Sequence, residues 1–305
     1  MKNFSTEHII LLVCTIIFLV ASCYGVSKLK KKAQNVVFIV TAVLGSGGLF
    51  FRYAMGMKLT FDFKFDTLFI QTLQVCNFNF ILLPLMLIKR FELARQYSIF
   101  FSMIAASTVM LSIPGSYQNN NWYDITVLNF WFNHVFAVAL PLYMLSSGRY
   151  KPNIRYIIPV TVCVVAYFVS VYFITAILWN KGLLSKNTSF SYVYDPKGML
   201  LLTQFYNLFG QRPLVHLFPV IPIIMGIFYL FTLPFTKKVY VNHGEKVKKL
   251  YGARGYKIKL KSFKNERLLG YAETENGEIK YLPNEKITVT KKNLTLYAIL
   301  DKTDQ

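Results

Sequence analysis

A thiol and an imidazole that meet in a water-poor interior can carry out acyl transfer: the imidazole takes the thiol proton and the thiolate attacks a carbonyl carbon. The sequence offers such a pair in Cys76 and His134, each inside an apolar run and each flanked by amides. Around the thiol lies Phe69-Ile-Gln-Thr-Leu-Gln-Val-Cys-Asn-Phe-Asn-Phe-Ile-Leu-Leu-Pro84, which packs Gln71, Thr72, Gln74, Cys76, Asn77 and Asn79 into three turns. Around the imidazole, Thr126, Asn129, Asn133 and His134 fall on one helical arc of about 140°, as polar groups serving an interior site do. Asn77, Gln74 and Asn133 are then candidates to stabilise an oxyanion or hold the imidazole tautomer, with Asn79 and Asn129 extending the polar lining. Each residue also has a plainer reading. Free cysteine is commonly buried, and a histidine in a membrane can serve as interhelical glue.

These residues need an element to hold them. Lipid gives an amide no partner, and an unpaired one costs several kcal/mol, so the 69–84 stretch is expected as the central helix of a bundle. Composition agrees: of 305 residues 54% are hydrophobic and 16% aromatic, with only 16% charged. A globular domain carries about a quarter charged residues, so the chain is read as an integral membrane protein. Seven apolar runs, roughly 8–26, 36–57, 67–88, 97–114, 124–146, 156–179 and 213–235, approach the length that a bilayer of about 30 Å requires. The fold class expected is an all-α polytopic bundle of about seven transmembrane helices.

Charge orients it. Lys28, Lys30, Lys31 and Lys32, then Lys89, Arg90 and Arg95, then Arg149, Lys151 and Arg155 occupy one set of loops; Asp62, Asp66, Asp124 and Asp195 lie in the other. The positive-inside rule puts the N-terminus out and the C-terminus in. Both candidate spans then run inward, and Cys76 and His134 lie at one depth, roughly 14–15 Å below the outer surface. The net charge of +20 is accounted for by short loops and a tail beside anionic lipid, so no nucleic-acid partner is expected. The four cysteines show no CxxC, and no His/Asp/Glu cluster has metal-ligand spacing, so neither a disulfide framework nor a metal or other cofactor is expected.

Other features read as follows. Arg52, near the outer end of the second run, either binds a lipid phosphate or snorkels to the headgroups. Gly45-Ser-Gly-Gly48 is a close helix-packing surface. Residues 199–212 form an interfacial helix or extend the last span. His8 and His243 read as exposed, and His216 as interfacial. After residue 235 hydropathy collapses: 236–250 reads as a basic juxtamembrane linker and 251–300 as a small β module. The strands expected there are 256–261, 278–281, 286–290 and 294–297, with an Asn-Gly hairpin turn at 276–277.

Two resemblances follow from these residues. Gly255-Tyr256, Leu269-Gly-Tyr271, Gly277, Tyr281-Leu-Pro283 and Asn293-Leu-Thr-Leu-Tyr-Ala298 resemble the Listeria–Bacteroides repeat, which implies a β-grasp-like module of a kind usually found outside the cell. Either the module is reused inside, or one span is miscounted. Gln74-Val-Cys-Asn-Phe-Asn-Phe-Ile-Leu-Leu-Pro84, Trp131-Phe-Asn-His-Val135, Gly148-Arg-Tyr-Lys-Pro152, Tyr194-Asp-Pro-Lys-Gly198 and Tyr206-Asn-Leu-Phe209 resemble the YwaF-like family of bacterial integral membrane proteins. Animal relatives of that family are similar to transmembrane acyltransferases that move fatty acyl chains between phospholipids through a cysteine. Carried over, the resemblance implies Cys76 as nucleophile, His134 as its partner, membrane phospholipid as substrate and a bacterial cell membrane as location. It departs from the pattern where Asn-His-Val stands in place of Ser-His-Gly. The competing class is a non-enzymatic transporter or sensor whose polar core binds a small solute and whose β module recruits a protein partner.

Overall fold

A computed structural model describes the chain except for Met1 and residues 55–71, 89, 185–188, 197–199, 244–245, 254–256, 261–267, 276, 289–293 and 301–305. It divides into two units, Met1–Tyr150 with Ile158–Gly226, and Lys151–Ile157 with Ile227–Gln305. Among the described residues, five helical stretches are long and apolar enough to cross a membrane: Thr6–Lys28, Lys31–Phe51, Ile125–Ser146, Ile154–Asn180 and Val215–Phe235.

In the first unit the helices are α1 (Thr6–Lys28), α2 (Lys31–Ala54), α3 (Val75–Leu82), α4 (Glu92–Tyr97) and α5 (Met103–Leu111). They are followed by α6 (Ile125–Ser146), α7 (Ile157–Asn180), α8 (Leu200–Leu208) and α9 (Val220–Thr232), the last of which runs on into the second unit. The hub is α6, not the 69–84 stretch. Fourteen of its 22 residues are buried, and α1, α2, α3 and α5 all pack on it. Its sequence explains this: Ala137 and Ala139 let neighbours approach, while Phe130, Trp131 and Tyr143 fill the gaps between them.

The two runs expected as the third and fourth spans are interrupted. Helical geometry breaks at Leu73 and Gln74, where Gln74 turns extended (φ −83°, ψ 124°). The helix that follows is only eight residues long before Pro84 opens a 3₁₀ turn, Pro84–Leu87. Gln71 lies outside the described residues. The fourth run is pieced from α4, a π-helical turn Ser98–Ser102 whose five residues are all buried, and α5. The third run is therefore not a single membrane-length helix among the described residues, whereas the fourth stays helical from Glu92 to Leu111 with the π turn inside it and is not among the stretches apolar enough to count as a candidate span.

Close packing sits where the glycines predict it. A Cβ on Gly48 would lie 1.7 Å from Asn133 Oδ1, and one on Gly45 would lie 2.7 Å from Leu83 Cδ1 and 3.2 Å from Phe136 Cβ. The intervening Gly47 faces open space. Ser46 Oγ donates to the Phe80 carbonyl (2.6 Å), so α2 holds α3 as well as α6.

Two histidines that read as exposed or interfacial are buried. His8 accepts the Phe4 N–H at Nδ1 (2.9 Å) and donates from Nε2 to the Met110 carbonyl (2.8 Å), pinning the start of α1 to the end of α5. A carbonyl can only accept, so the tautomer is fixed. His216 is fully buried beside the loop between α7 and α8. Residues 199–212 are not an extension of the last span: α8 stops at Leu208, and Gln211 (φ 57°) and Leu214 (φ 63°) turn the chain before Val215. The side chains of Arg52 and His243 lie outside the described ones.

In the second unit, the stretch expected as a linker pairs as a hairpin, β1 (Thr236–His243) with β2 (Lys246–Ala253). Alternation explains it, since Val239 and Val241 point into the core between exposed or half-buried neighbours. With β3 (Lys257–Lys259), β4 (Leu268–Ala272), β5 (Lys286–Thr288) and β6 (Leu294–Leu300), the unit forms a sheet of order β2-β1-β6-β4 and a β3-β5 pair. β1 and β6 run parallel and the other neighbours antiparallel. Residues 278–281 make only an isolated bridge, Tyr271 to Tyr281. Val239, Val241, Ile258, Leu260, Tyr271, Ile287 and Leu296 form the core.

Two substitutions test this packing. Gly48→Ala must displace the Asn133 amide, and overpacking of this kind costs about 1–3 kcal/mol; thermal unfolding in detergent should show a lowered Tm, whereas Gly47→Ala should not lower it. In the second unit Gly270→Ala would meet Ile279 Cγ2 at 2.4 Å and the Tyr281 carbonyl at 2.8 Å. Hydrogen exchange should show loss of protection across β4 and β6 in that variant.

Candidate functional site

Cys76 is the second residue of α3, behind Gln74 as N-cap. Its position depends on how the break before it is held. Tyr167, on α7, donates its hydroxyl to the Thr72 carbonyl (3.0 Å) and lies 3.2 Å from Ser191 Oγ. Ser191 donates Oγ–H to the Leu73 carbonyl and accepts the Val75 N–H (2.8 Å), while its own N–H reaches Gln74 Oε1 (3.1 Å). The backbone that leaves the helix at 72–75 is thus paired by two side chains from elsewhere in the chain, Tyr167 and Ser191, while the Gln74 side chain in turn holds the Ser191 backbone.

Ser191 comes from the loop between α7 and α8, where the residues before α8 fold over the break. Leu73, Val171, Phe190, Val193 and Leu217 pack together there. Ser189 Oγ accepts the N–H groups of Tyr194 and Asp195 (3.2 and 3.0 Å), His216 Nε2 bonds the Tyr192 carbonyl (2.9 Å), and Leu214 N–H bonds the Val193 carbonyl (2.6 Å). Ser191 and Tyr192 are both in the left-handed region (φ 48° and 62°). Burial pushes the Tyr192 phenol well above its ordinary range, with Cys76 and Tyr117 as further contributors.

His134, buried on α6, donates Nδ1–H to the Phe130 carbonyl (2.6 Å). That bond leaves Nε2 as the basic nitrogen, the tautomer a general base needs. The Phe80 ring meets His134 edge-on at 5.3 Å. Phe80 is one turn after Cys76 on the same face of α3, so the expected pair lies on two helices in contact, with Phe80 at the junction. The amides divide. Asn79 Oδ1 accepts from Tyr97 (3.0 Å), and Gln74 is committed to Ser191. Asn77 is buried on α3. Among the described residues, Asn129 Nδ2 and Asn133 Oδ1 are buried on α6 without a hydrogen-bond partner, as are Ser98 and Ser102 Oγ of the π turn. Thr126 accepts from Asn120 (3.2 Å) and caps the arc at its outer end.

Sequence reasoning therefore placed Cys76, His134 and the amides in one unit but missed Ser191, Tyr167 and Tyr192. No spacing marks Ser191, because its role comes from a left-handed loop 116 residues away from Val75.

Comparison with known proteins bears on the whole bundle. No curated protein and no solved structure matches the chain. A family model, that of the TMEM164 family, matches residues 3–240, which take in all nine helices above and most of β1. The chain therefore belongs to the TMEM164 family, a family of membrane proteins, and is a multi-pass membrane protein.

Proposed function

We propose that the protein is a membrane enzyme of lipid acyl transfer, with Cys76 as nucleophile, His134 as base and phospholipid as substrate. The observation that carries this is the placement of Cys76 in the first turn of a broken helix, packed against a helix whose histidine has its Nδ1–H engaged and its Nε2 basic. Helix N-termini favour the thiolate, and buried donors near it can stabilise an oxyanion.

In the reaction, His134 Nε2 takes the Cys76 proton. The thiolate adds to the ester carbonyl of a phospholipid, and the tetrahedral intermediate collapses with C–O cleavage. The lysophospholipid alkoxide leaves with the proton returned from His134. The Cys76 thioester is then attacked by the hydroxyl of an acceptor lipid, whose proton passes to His134 and back to the thiol as the C–S bond breaks. Asn77, Asn129 and Asn133 are the amides assigned to the carbonyl oxygen and the headgroup. Arg52 is assigned to the lipid phosphate from sequence alone. The broken third run and the π-interrupted fourth run complete seven crossings in this reading, with the N-terminus out and the protein in a bacterial cell membrane. The parallel pairing of β1 with β6 between two antiparallel neighbours supports a β-grasp-like module, assigned to recruiting a protein partner.

One observation favours a second reading. The unused hydrogen-bonding atoms of Asn129, Asn133, Ser98 and Ser102 suit a buried solute in a transporter or sensor.

The two readings separate under an activated acyl-lipid probe applied to the protein in lipid nanodiscs, with mapping by mass spectrometry. Acyl transfer predicts an adduct on Cys76 that slows about 10²–10⁴-fold in His134→Ala, the usual effect of removing a general base, and transfer that Cys76→Ser abolishes without unfolding. Reaction at Cys76 no faster than at Cys14 or Cys163 would sink it. A solute site predicts instead that Asn133→Leu is the damaging change and Cys76→Ser is tolerated.

A further inference from the structure

A helix break at membrane depth must find partners for its backbone within the protein. Here the partners converge on one side chain. Ser191, only 1% exposed, accepts from Val75 N–H, donates to the Leu73 carbonyl and has the Tyr167 hydroxyl oxygen 3.2 Å from its own. The Val75 N–H is the donor immediately before Cys76, so the hydroxyl sets where α3 starts and how its first turn is aimed. Ser191 reaches that point through a left-handed backbone, and strained residues held this way cluster at working sites.

We infer that Ser191 is a positioning residue, one that fixes the Cys76 thiol at the second position of α3 through its bonds to Leu73 and Val75. The inference rests on the reading of Cys76 as nucleophile, and it adds the α7–α8 loop to the machinery. The chemistry follows from the geometry. A thiolate in the first turn faces the positive end of the helix, and this stabilisation falls off within a turn. Without the Ser191 hydroxyl the first turn frays, the donors beside Cys76 lose their common direction and the thiol becomes harder to ionise. Tyr167 acts in the same direction from the other side by holding the Thr72 carbonyl, and His216 holds the loop itself through the Tyr192 carbonyl.

The test is the rate of iodoacetamide alkylation at Cys76 against pH, in full-length protein in nanodiscs, with Cys14 on α1 as internal reference. Ser191→Ala should move the Cys76 profile to higher pH and slow alkylation near neutrality about tenfold, the effect of one unit in the thiol pKa, with Cys14 unchanged. Tyr167→Phe keeps the ring and the loop and should move the profile the same way by less. If Ser191→Ala also alters Cys14, the fold has been disturbed and the Tyr167→Phe profile decides. A Cys76 profile within about twofold of wild type in the deciding variant overturns the inference. The same preparations carry Cys76→Ser in the lipid transfer assay. Transfer that survives Cys76→Ser removes the acyl-transfer reading, while a shifted alkylation profile in Ser191→Ala still shows that Ser191 positions this thiol.

Discussion

The pairing of Ser191 with the backbone at Leu73 and Val75 is the interaction on which the candidate site depends. In hydrocarbon an unpaired N–H or carbonyl has no water to turn to, and each costs several kcal/mol. A chain can therefore leave helical geometry inside a membrane only where another part of the protein supplies the missing partners. Here Ser191 supplies two and Tyr167 a third. The consequence is a helix that begins in the middle of an apolar run, with Cys76 in its first turn. A continuous helix through 69–84 would have placed the same thiol in a turn where every N–H is already used by the carbonyl four residues earlier.

The other half of the site is held by a different device. α6 is fixed mainly by close approach: Gly45 and Gly48 of α2 let Phe136 and Asn133 come in against the backbone, and one side-chain hydrogen bond, Trp131 Nε1–H to Thr15 Oγ1 (2.7 Å), ties it to α1. His134 then has little freedom, since Phe130 and Phe80 pack on its ring and the Phe130 carbonyl holds Nδ1. α3 is joined to this hub by Ser46 and Phe80. The arrangement resembles a hinge pinned at one side and stapled at the other, and the staple is the α7–α8 loop.

How much of this was legible in the sequence depends on the range of the interactions. Apolar run length and loop charge announced a polytopic membrane chain, because both report on solvent transfer residue by residue. The polar arc on 126–134 announced which face of α6 looks inward, and Gly45-Ser-Gly-Gly48 announced a close-packing surface on α2 without saying which helix would fill it. What failed were inferences that assumed continuity. The 69–84 stretch was expected to be one helix and the centre of the bundle, yet its own polarity is what allows it to break, since Gln74 and the backbone beside it bond the α7–α8 loop. Val239 and Val241 were hidden in a lysine-rich stretch, so an alternating strand passed for a linker. His8 and His216 read as surface residues because their partners, the carbonyls of Met110 and Tyr192, lie far along the chain or carry no sequence signature.

The two left-handed residues of the α7–α8 loop sharpen this last point. Glycine would adopt φ near 50–60° without penalty, whereas other residues give up about 1–2 kcal/mol there. Glycine at 191 or 192 would relieve the backbone, yet this chain carries serine and tyrosine. The structure supplies the reason at 191, where the serine hydroxyl closes the break before Cys76. A backbone strained in order to deliver that hydroxyl is doing something glycine cannot. His216 stabilises that backbone from behind through the Tyr192 carbonyl, and Leu214 through Val193. The loop is therefore part of the candidate site, and the geometry around Cys76 is set from outside its own helix.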